Sequence, residues 1–362
     1  MDVQPWLGLA ALVDDIGSRR LWSLITAAGD AERAWRADAA TLARARIPEA
    51  LAQRFLLRRT EVNVAALVEA MERERIAVIP RNDPRYPALL AQIPDPPICL
   101  FVRGDAARIG ERAIAVVGTR KATAYGRTAT EALVGPLARA GLVITSGLAF
   151  GIDAYSHDAC LRANGRTVAV LGTGSDGASI SPASNRGLAE RILGSGGCLV
   201  TEYVPGTPGF PMHFPARNRI VAGMTSGTVV IEAPEDSGAL ITAQFALDFG
   251  REVFAVPGPI TSAMHAGANA LLKVGATPTT SAADVIDALH LEELLPPTPP
   301  RIHTPEGLPG RILGILGAAP LHIDDLRDQL AIPTNELASA LTSLELDGAI
   351  RDIGGSNYIR AT

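Results

Sequence analysis

The sequence predicts an α/β protein with a parallel β-sheet at its centre, a small helical domain before it and a winged-helix domain after it. Between residues 113 and 290, short runs rich in valine and isoleucine alternate with helical segments. The runs lack the polar/apolar alternation of a half-exposed strand, which indicates strands buried on both faces. Such strand–helix alternation is typical of parallel sheets, which bind ligands at the carboxyl ends of their strands. The predicted strands are 113–117, 142–145, 167–171, 198–202, 228–232 and 252–256.

The first 72 residues predict short helices, because apolar residues recur at intervals of three and four between glycine and proline breaks. Residues 12–29 loosely resemble half of a helix-hairpin-helix, whose backbone amides can contact a DNA phosphate. The competing interpretation is a plain helical bundle with its arginines in solvent. The arginines that bear on this choice are Arg19, Arg20, Arg54, Arg58 and Arg59.

The carboxyl-terminal part begins with a proline-rich stretch, 291–307, which predicts a linker. Residues 308–362 then fit a winged helix, with helices near 308–317, 323–330 and 334–347 and two short strands around a glycine pair. In that fold the third helix commonly enters a DNA groove. Here that helix has Glu336 near its start and no lysine or arginine, so phosphate would repel it. We expect this domain to contact protein or nothing.

Composition narrows the classes of function. The chain has 362 residues, 47% of them hydrophobic, and a formal charge of −5, so a nucleic-acid site has to be a local cluster of cations. The three cysteines, Cys99, Cys160 and Cys198, are widely spaced and predict neither a zinc site nor a disulfide framework. The amino terminus lacks signal-peptide features, and no uncharged run suits a membrane helix. The sequence therefore predicts a soluble cytoplasmic protein without metal or membrane contact.

Two glycine-rich turns follow the first two predicted strands of the sheet. In VVGTRKATAYG, Gly118 allows a tight turn, and the amides of the next helix start, with Arg120 and Lys121, make a plausible anion site. The run fits neither the dinucleotide-binding nor the ATP-binding glycine motif. In TSGLAFGIDAYSH, Ser146 and Gly147 leave the backbone open to a ligand. Both turns lie where a parallel sheet binds its ligand.

Asp153 and His157 lie one helical turn apart after the second of these turns, so they could hydrogen-bond on one helix face. A catalytic interpretation needs an activated nucleophile, and the sequence suggests none. We favour a structural role, with Asp153 capping the helix through its dipole.

Further along, arginines from separate loops converge on the same edge. HFPARNRIVAGM places Arg217, Asn218 and Arg219 near a helix start, and a later helix opens at Ser237 and Gly238. Main-chain amides with arginines along one groove suit an extended phosphate backbone.

These motifs, in this order across about 113–280, resemble the DNA-processing protein A family. The segments that carry the resemblance are VVGTRKATAYG, SGLAFGIDAYSH, VAVLGTGSD, TEY, HFPARNRIVAG, VVIEAPEDSGALITA, VFAVPG and AGANALLKVGA. The resemblance implies an extended Rossmann-like domain that binds single-stranded DNA, forms a homodimer, and helps to load a RecA-type recombinase in natural transformation. It implies no catalytic residue and no cofactor. The corresponding domains are 1–72 (helical, SAM-like or helix-hairpin-helix-like), 73–290 (Rossmann-like), 291–307 (linker) and 308–362 (winged helix).

The resemblance also implies roles for individual residues. It implies that Gly118, Arg120 and Lys121 contact phosphate. It implies that Leu271 and Leu272 lie at the dimer contact. The groove is lined by Ser146, Gly147, Arg217, Asn218, Arg219, Ser237 and Gly238.

Two departures from the family pattern affect the groove. Phe150 stands where a basic residue is frequent, and Ala183 stands where a lysine is common in the loop that ends at Asn185. Arg186 could supply the missing charge, and Phe150 could stack on a base or pack in the core.

The main alternative is an enzyme or sensor for a nucleotide-derived ligand. Phosphoribohydrolase-like proteins on a related fold use a glycine-rich turn with a glutamate, a part that Glu232 could play. Their PGGxGTxxE pattern is absent from this chain. We therefore favour a DNA-binding protein that is not an enzyme.

Overall fold

The computed structural model describes residues 2–291, Glu293, 307–317 and 320–360. The chain divides into two compact units, Met1–Leu294 and Leu295–Thr362. The predicted linker lies largely outside the described residues, and the domain boundaries given above stay predictions. No helix in the described residues combines the length and the apolar character needed to span a bilayer.

Short helices form the amino-terminal part of the first unit. Asp30, Asp38 and Asn63 each cap a helix by accepting the backbone N–H three residues on. Phe55 is fully buried among these helices, and Phe101 of the sheet joins the same core. The helices are α1 (Gln4–Ala10), α2 (Val13–Ile16), α3 (Ser18–Ala28), α4 (Ala31–Trp35), α5 (Ala39–Arg44), α6 (Glu49–Arg59) and α7 (Val64–Glu74).

Several arginines of this helical part are engaged within the fold. Arg58 forms an ion pair with Asp15 at 3.2 Å. Arg59 donates to two main-chain carbonyls between α4 and α5, and Arg20 donates to a carbonyl one turn back. These three arginines therefore take part in the fold of the helical part, and a DNA-contacting hairpin stays a prediction.

Strands and helices alternate from residue 76 onward. The strands are β1 (Ile76–Pro80), β2 (Cys99–Gly104), β3 (Ala113–Val117), β4 (Val143–Ser146), β5 (Thr167–Val170), β6 (Cys198–Thr201), β7 (Gly227–Val230), β8 (Glu252–Ala255) and β9 (Thr277–Pro278). The helices between and after them are α8 (Ala88–Ala91), α9 (Ala124–Arg139), α10 (Ile152–Arg162), α11 (Arg186–Gly194), α12 (His213–Gly223), α13 (Gly238–Asp248), α14 (Ala266–Lys273) and α15 (Ala282–Ala288).

The strands form one sheet in the order β1-β2-β6-β5-β4-β3-β7-β8-β9. Strands β3 to β8 pair in parallel, whereas β1 and β2 pair antiparallel with each other and β2 pairs antiparallel with β6. The six predicted strands are all present, with ends shifted by at most two residues. Strand β3 lies between β4 and β7, so the strand order reverses there and leaves a crevice at the carboxyl ends.

Successive residues of the central strands pack on opposite faces, which explains their unbroken apolar runs. Ala115 and Val117 face the core that includes Ile220 of α12, whereas Ile114 faces the core that includes Leu137 of α9. Both cores are closed to solvent. The sheet is therefore a rigid base for the loops at its carboxyl edge.

The second unit has the predicted winged-helix architecture. Its helices are α16 (Leu308–Ile315), α17 (Ile323–Leu330) and α18 (Thr334–Leu346), and its sheet has the order β10 (Leu321–His322), β12 (Asn357–Arg360), β11 (Ile350–Asp352). Helix α18 carries Glu336 in its first turn. Arg311 and Arg360 donate to main-chain carbonyls of the same unit.

Two buried polar links attach the helical part to the sheet beside the crevice. The Glu202 carboxylate, just after β6, accepts two hydrogen bonds from Arg219 at 2.7 and 2.8 Å and one from the Ser18 hydroxyl at 3.1 Å. The His213 ring hydrogen-bonds Asp14 of α2 at 3.0 Å. Both links hold α12, which carries groove residues, against the helices.

We expect the Arg219→Met substitution to lower the free energy of unfolding by ~3–5 kcal/mol, because Glu202 would stay buried without its guanidinium partner. Chemical denaturation of the full chain measures this change. The control is Arg54→Met, at an exposed position on α6, which should shift stability by no more than about 0.5 kcal/mol. Equal shifts in the two variants would contradict a structural role for Arg219.

Candidate nucleic-acid interface

A cleft of about 560 Å³ opens at the carboxyl ends of β3, β4 and β7. This is the point where the strand order reverses, as expected for a ligand site in a parallel sheet. Its lining includes these predicted residues: Gly118, Arg120, Lys121, Gly147, Arg217, Asn218, Ser237 and Gly238. The structure thus brings together residues from four separate segments of the chain.

The turn between β3 and α9 supplies the exposed positive charge. Arg120 and Lys121 both lie at the surface of the cleft. The Arg120 guanidinium lies 5.8 Å from the centre of the Phe214 ring. An arginine held over an aromatic face keeps its charge available and loses little freedom when it binds an anion.

The start of α9 is closed by a buried carboxylate, which corrects part of the predicted anion site. The fully buried Glu232 side chain accepts the Thr123 backbone N–H and the Thr123 hydroxyl, both at 2.9 Å. Its backbone carbonyl accepts the Thr119 N–H at 2.7 Å. A β-carbon at Gly126 would collide with this carboxylate. Because the helix N-terminus already holds an anion of the protein, an incoming phosphate is left with the exposed turn before it.

The turn between β4 and α10 is held by hydrogen bonds to Asp153 and Arg217. Asp153 accepts the backbone N–H groups of Gly147 and Ala149 at 3.0 and 3.4 Å. Arg217 is only 4% exposed and donates to the carbonyls of Gly147 and Val170. Burial raises the pKa of the Asp153 carboxyl, and the positive charge of Arg217 opposes that shift. Arg217 therefore lies in the cleft floor with its guanidinium already hydrogen-bonded to the protein.

Gly147 is required for this packing, since a β-carbon there would collide with the Arg217 guanidinium. Ser146 is buried, and its hydroxyl donates to the Val116 carbonyl at 2.7 Å. Ser146 thus supports the strand end from beneath and does not belong to the cleft lining, contrary to the sequence-based expectation.

His157 does not pair with Asp153, which corrects the suggested hydrogen bond between them. Its Nδ1 lies 2.7 Å from the Thr167 hydroxyl of β5. Burial lowers the pKa of His157 to about 3, so the ring is neutral near pH 7. The contact agrees with the structural role that we expected.

Four other predicted residues lie outside the cleft lining. Arg219 is committed to Glu202, as described above. The Asn185 side chain donates to the carbonyls of Leu148 and Ala149, and Arg186 donates to the Ala178 carbonyl. Phe150 is 49% exposed beside the lining residue Ala149, so the alternative of core packing is wrong.

Sequence reasoning missed part of the cleft wall. Phe214 and Met264 line it, as does Ile241, one turn into α13 and 40% exposed. Asn218 bridges two walls, because its amide donates to the Gly238 carbonyl at 3.3 Å. The signal for Ile241 was present: an apolar residue one turn after the helix-opening Ser237 faces the same side as the helix start.

The predicted dimer residues are less exposed than their neighbours. Leu271 and Leu272 are half-buried and pack against the main core. Val274 and Ile260, by contrast, are 75% and 95% exposed. Val274 directly follows α14, so an exposed apolar side chain lies beside the predicted pair along the chain.

Comparisons with known proteins agree with this architecture. The profile described as DNA recombination-mediator protein A matches residues 77–290, and the DprA winged helix domain matches 296–356. Protein Smf of Escherichia coli K12 is 36% identical over 80% of this chain and 79% of its own length. Protein Smf of Synechocystis is 32% identical over 91% of this chain and 92% of its own.

Solved structures give the same result. DNA processing protein A of Streptococcus pneumoniae superposes with a TM-score of 0.66 at 30% identity, covering 79% of this chain and 98% of that one. A structure of DNA processing protein A from Helicobacter pylori, described for its single-stranded DNA binding mode, has a TM-score of 0.53 at 26% identity and covers 60% and 96%. Fold, cleft and sequence profile agree, and the chain belongs to the DNA recombination-mediator protein A family.

Proposed function

We propose that this protein binds single-stranded DNA without sequence preference along the cleft at the carboxyl ends of β3, β4 and β7. The observation that carries the proposal is the pair Arg120 and Lys121, exposed together on the turn that opens into the cleft. In a chain of net charge −5, such a local pair is where a polyanion would bind. The H. pylori relative, described for single-stranded DNA binding, supports this choice of ligand.

Sequence-independent binding follows from the kinds of groups in the cleft. Main-chain atoms and exposed cations contact phosphate and sugar, which carry no base identity. Of the arginines, Arg217 is buried and hydrogen-bonded to carbonyls, so Arg120 provides the exposed guanidinium of the lining. We therefore expect salt-dependent binding with few ionic contacts.

An enzyme acting on a nucleotide-derived ligand is less well supported. Its proposed catalytic group, Glu232, has no exposed surface and is hydrogen-bonded to Thr123. His157 is equally buried and is bonded to Thr167. Within the described residues, no group of three or more His, Cys, Asp and Glu side chains is placed to hold a metal ion. Both candidate groups serve the fold.

We further propose that the protein forms a homodimer and helps to load a RecA-type recombinase onto the bound strand. Family membership supports both steps. The exposed Val274, which directly follows α14 with its Leu271 and Leu272, provides an apolar contact for the second copy. The cytoplasm is the compartment in which such a role would be carried out.

The Arg120→Ala substitution should weaken binding to a labelled oligo-dT about tenfold at low salt, because a charge-assisted contact to phosphate is lost. The slope of log affinity against log salt should become shallower by about 0.7. Fluorescence anisotropy over a salt series measures both effects, with Arg139→Ala, in the last turn of α9, as the matched exposed-arginine control. Unchanged affinity in Arg120→Ala would overturn the proposed site.

Substitutions of Glu232 separate support of the turn from catalysis. Glu232→Gln can keep both hydrogen bonds to Thr123, because the threonine hydroxyl can also accept one, and it removes a buried negative charge near the phosphate turn. It should bind oligo-dT at least as tightly as wild type. Glu232→Ala leaves Thr123 unpaired and should bind about tenfold more weakly. Equal loss in the two variants would contradict a supporting role.

The Val274→Asp substitution should convert the dimer to a monomer, because a charge would be buried at the apolar contact. Light scattering coupled to size exclusion measures the mass. The control is Leu57→Asp on α6, which is also strongly exposed, at 63%, and should leave the mass unchanged. A monomeric wild type would contradict the dimer, and a dimeric Val274→Asp would place the contact elsewhere.

A further inference from the structure

The segment between β6 and α12 exposes large apolar side chains that no part of the proposed site uses. Phe210 is 48% exposed and Met212 is 73% exposed, within the run PGTPGFPM. Single exposed apolar residues are ordinary on protein surfaces. Here two lie within three residues, next to a cleft proposed to bind DNA.

This apolar surface is continuous with the cleft. Phe214 lines the cleft, and the backbone of Gly209 packs against it, since a β-carbon at Gly209 would lie 3.1 Å from the Phe214 ring. Phe210 meets the ring of His213 edge-on, at 5.1 Å between ring centres. His213 is itself fixed by Asp14 and by stacking on Tyr203. Phe210 therefore packs on a ring that the protein holds in place. It directly follows Gly209, which packs on the lining residue Phe214.

The charge of this segment favours a polyanion. From Tyr203 to Ile231 the chain has no aspartate or glutamate, although acidic residues number 38 in the whole sequence. The arginines within the stretch, Arg217 and Arg219, are buried, so the exposed cations near it are those of the turn after β3. The segment itself therefore carries no negative charge, although Asp14 is bonded to His213 beside it. An apolar surface next to exposed cations combines the two features that single-stranded nucleic-acid sites use.

We infer that Phe210 and Met212, continuing from Phe214, form a platform on which bases of the bound single strand pack. The inference rests on the proposed function and assigns base contacts that phosphate binding alone does not supply. Bases in a duplex are stacked on one another and unavailable, so the platform favours single strands over double strands. Because stacking accepts any base, it leaves binding independent of sequence.

The test compares oligo-dT, an abasic strand of the same length and a duplex, each over a salt series. The double substitution Phe210→Ala and Met212→Ala should bind oligo-dT about tenfold more weakly, with an unchanged salt slope and unchanged binding to the abasic strand. Arg120→Ala should instead weaken binding to both single strands and reduce the slope. Leu57→Ala, at an exposed apolar position on α6, is the control and should leave binding to all three nucleic acids unchanged.

A tryptophan at the platform gives a direct readout. The Phe210→Trp substitution, in place of Phe210→Ala, should keep tight binding to oligo-dT. The fluorescence of the new tryptophan should be quenched by oligo-dT and not by the abasic strand. Wild-type affinity in the double alanine variant would overturn the platform, as would an equal loss on the abasic strand. A change in oligomer mass without a change in DNA binding would also overturn it and indicate a protein contact. If wild type failed to bind oligo-dT, the proposed function itself would be wrong.

Discussion

The buried carboxylate of Glu232 is the interaction on which the geometry of the cleft depends. Through its side chain and its backbone carbonyl it fixes the turn that presents Arg120. The same turn accepts the backbone N–H of Ile152 at the Thr119 carbonyl, so the start of α10 is attached to it as well. Glu232 thus joins the loops after β3 and β7, and the Thr119 carbonyl joins the loop after β4 to them. An anion can be buried here because Thr123 donates twice and the α9 dipole faces it.

Buried charges near the cleft are satisfied by groups of the protein itself, and for this reason few of the arginines there are available to a ligand. Arg217 and Arg219 are two residues apart on α12, yet each guanidinium is buried against acceptors from elsewhere in the chain. Their positive charge shapes the walls, whereas the exposed turn provides the ionic contact. A site with few ionic contacts needs another source of affinity, and apolar contact with bases is one that tolerates any sequence.

Much of the fold could be predicted from the sequence because it follows from local pattern. Buried parallel strands have unbroken apolar runs, and the winged helix has distinct helical periodicity. Strands β1 and β2 were missed because they pair antiparallel and contact both the helical part and the sheet, a dependence on distant residues. In the site, glycine turns marked the strand ends correctly. The roles of Arg219 and Ser146 could not be predicted, because they are set by Glu202 and Val116, residues that the fold alone brings near.

The acidic character of the rest of the chain contributes to the proposed function. Phosphate is repelled by a surface of net negative charge and attracted only where cations cluster. The second unit illustrates this: its described part has seven aspartates and glutamates against four arginines, and Glu336 and Asp324 lie at helix starts. We expect a winged helix of this charge to compete poorly for DNA, which favours the cleft as the proposed binding site. In the proposed function, the negative overall charge and the local pair of exposed cations therefore act together to select where the strand binds.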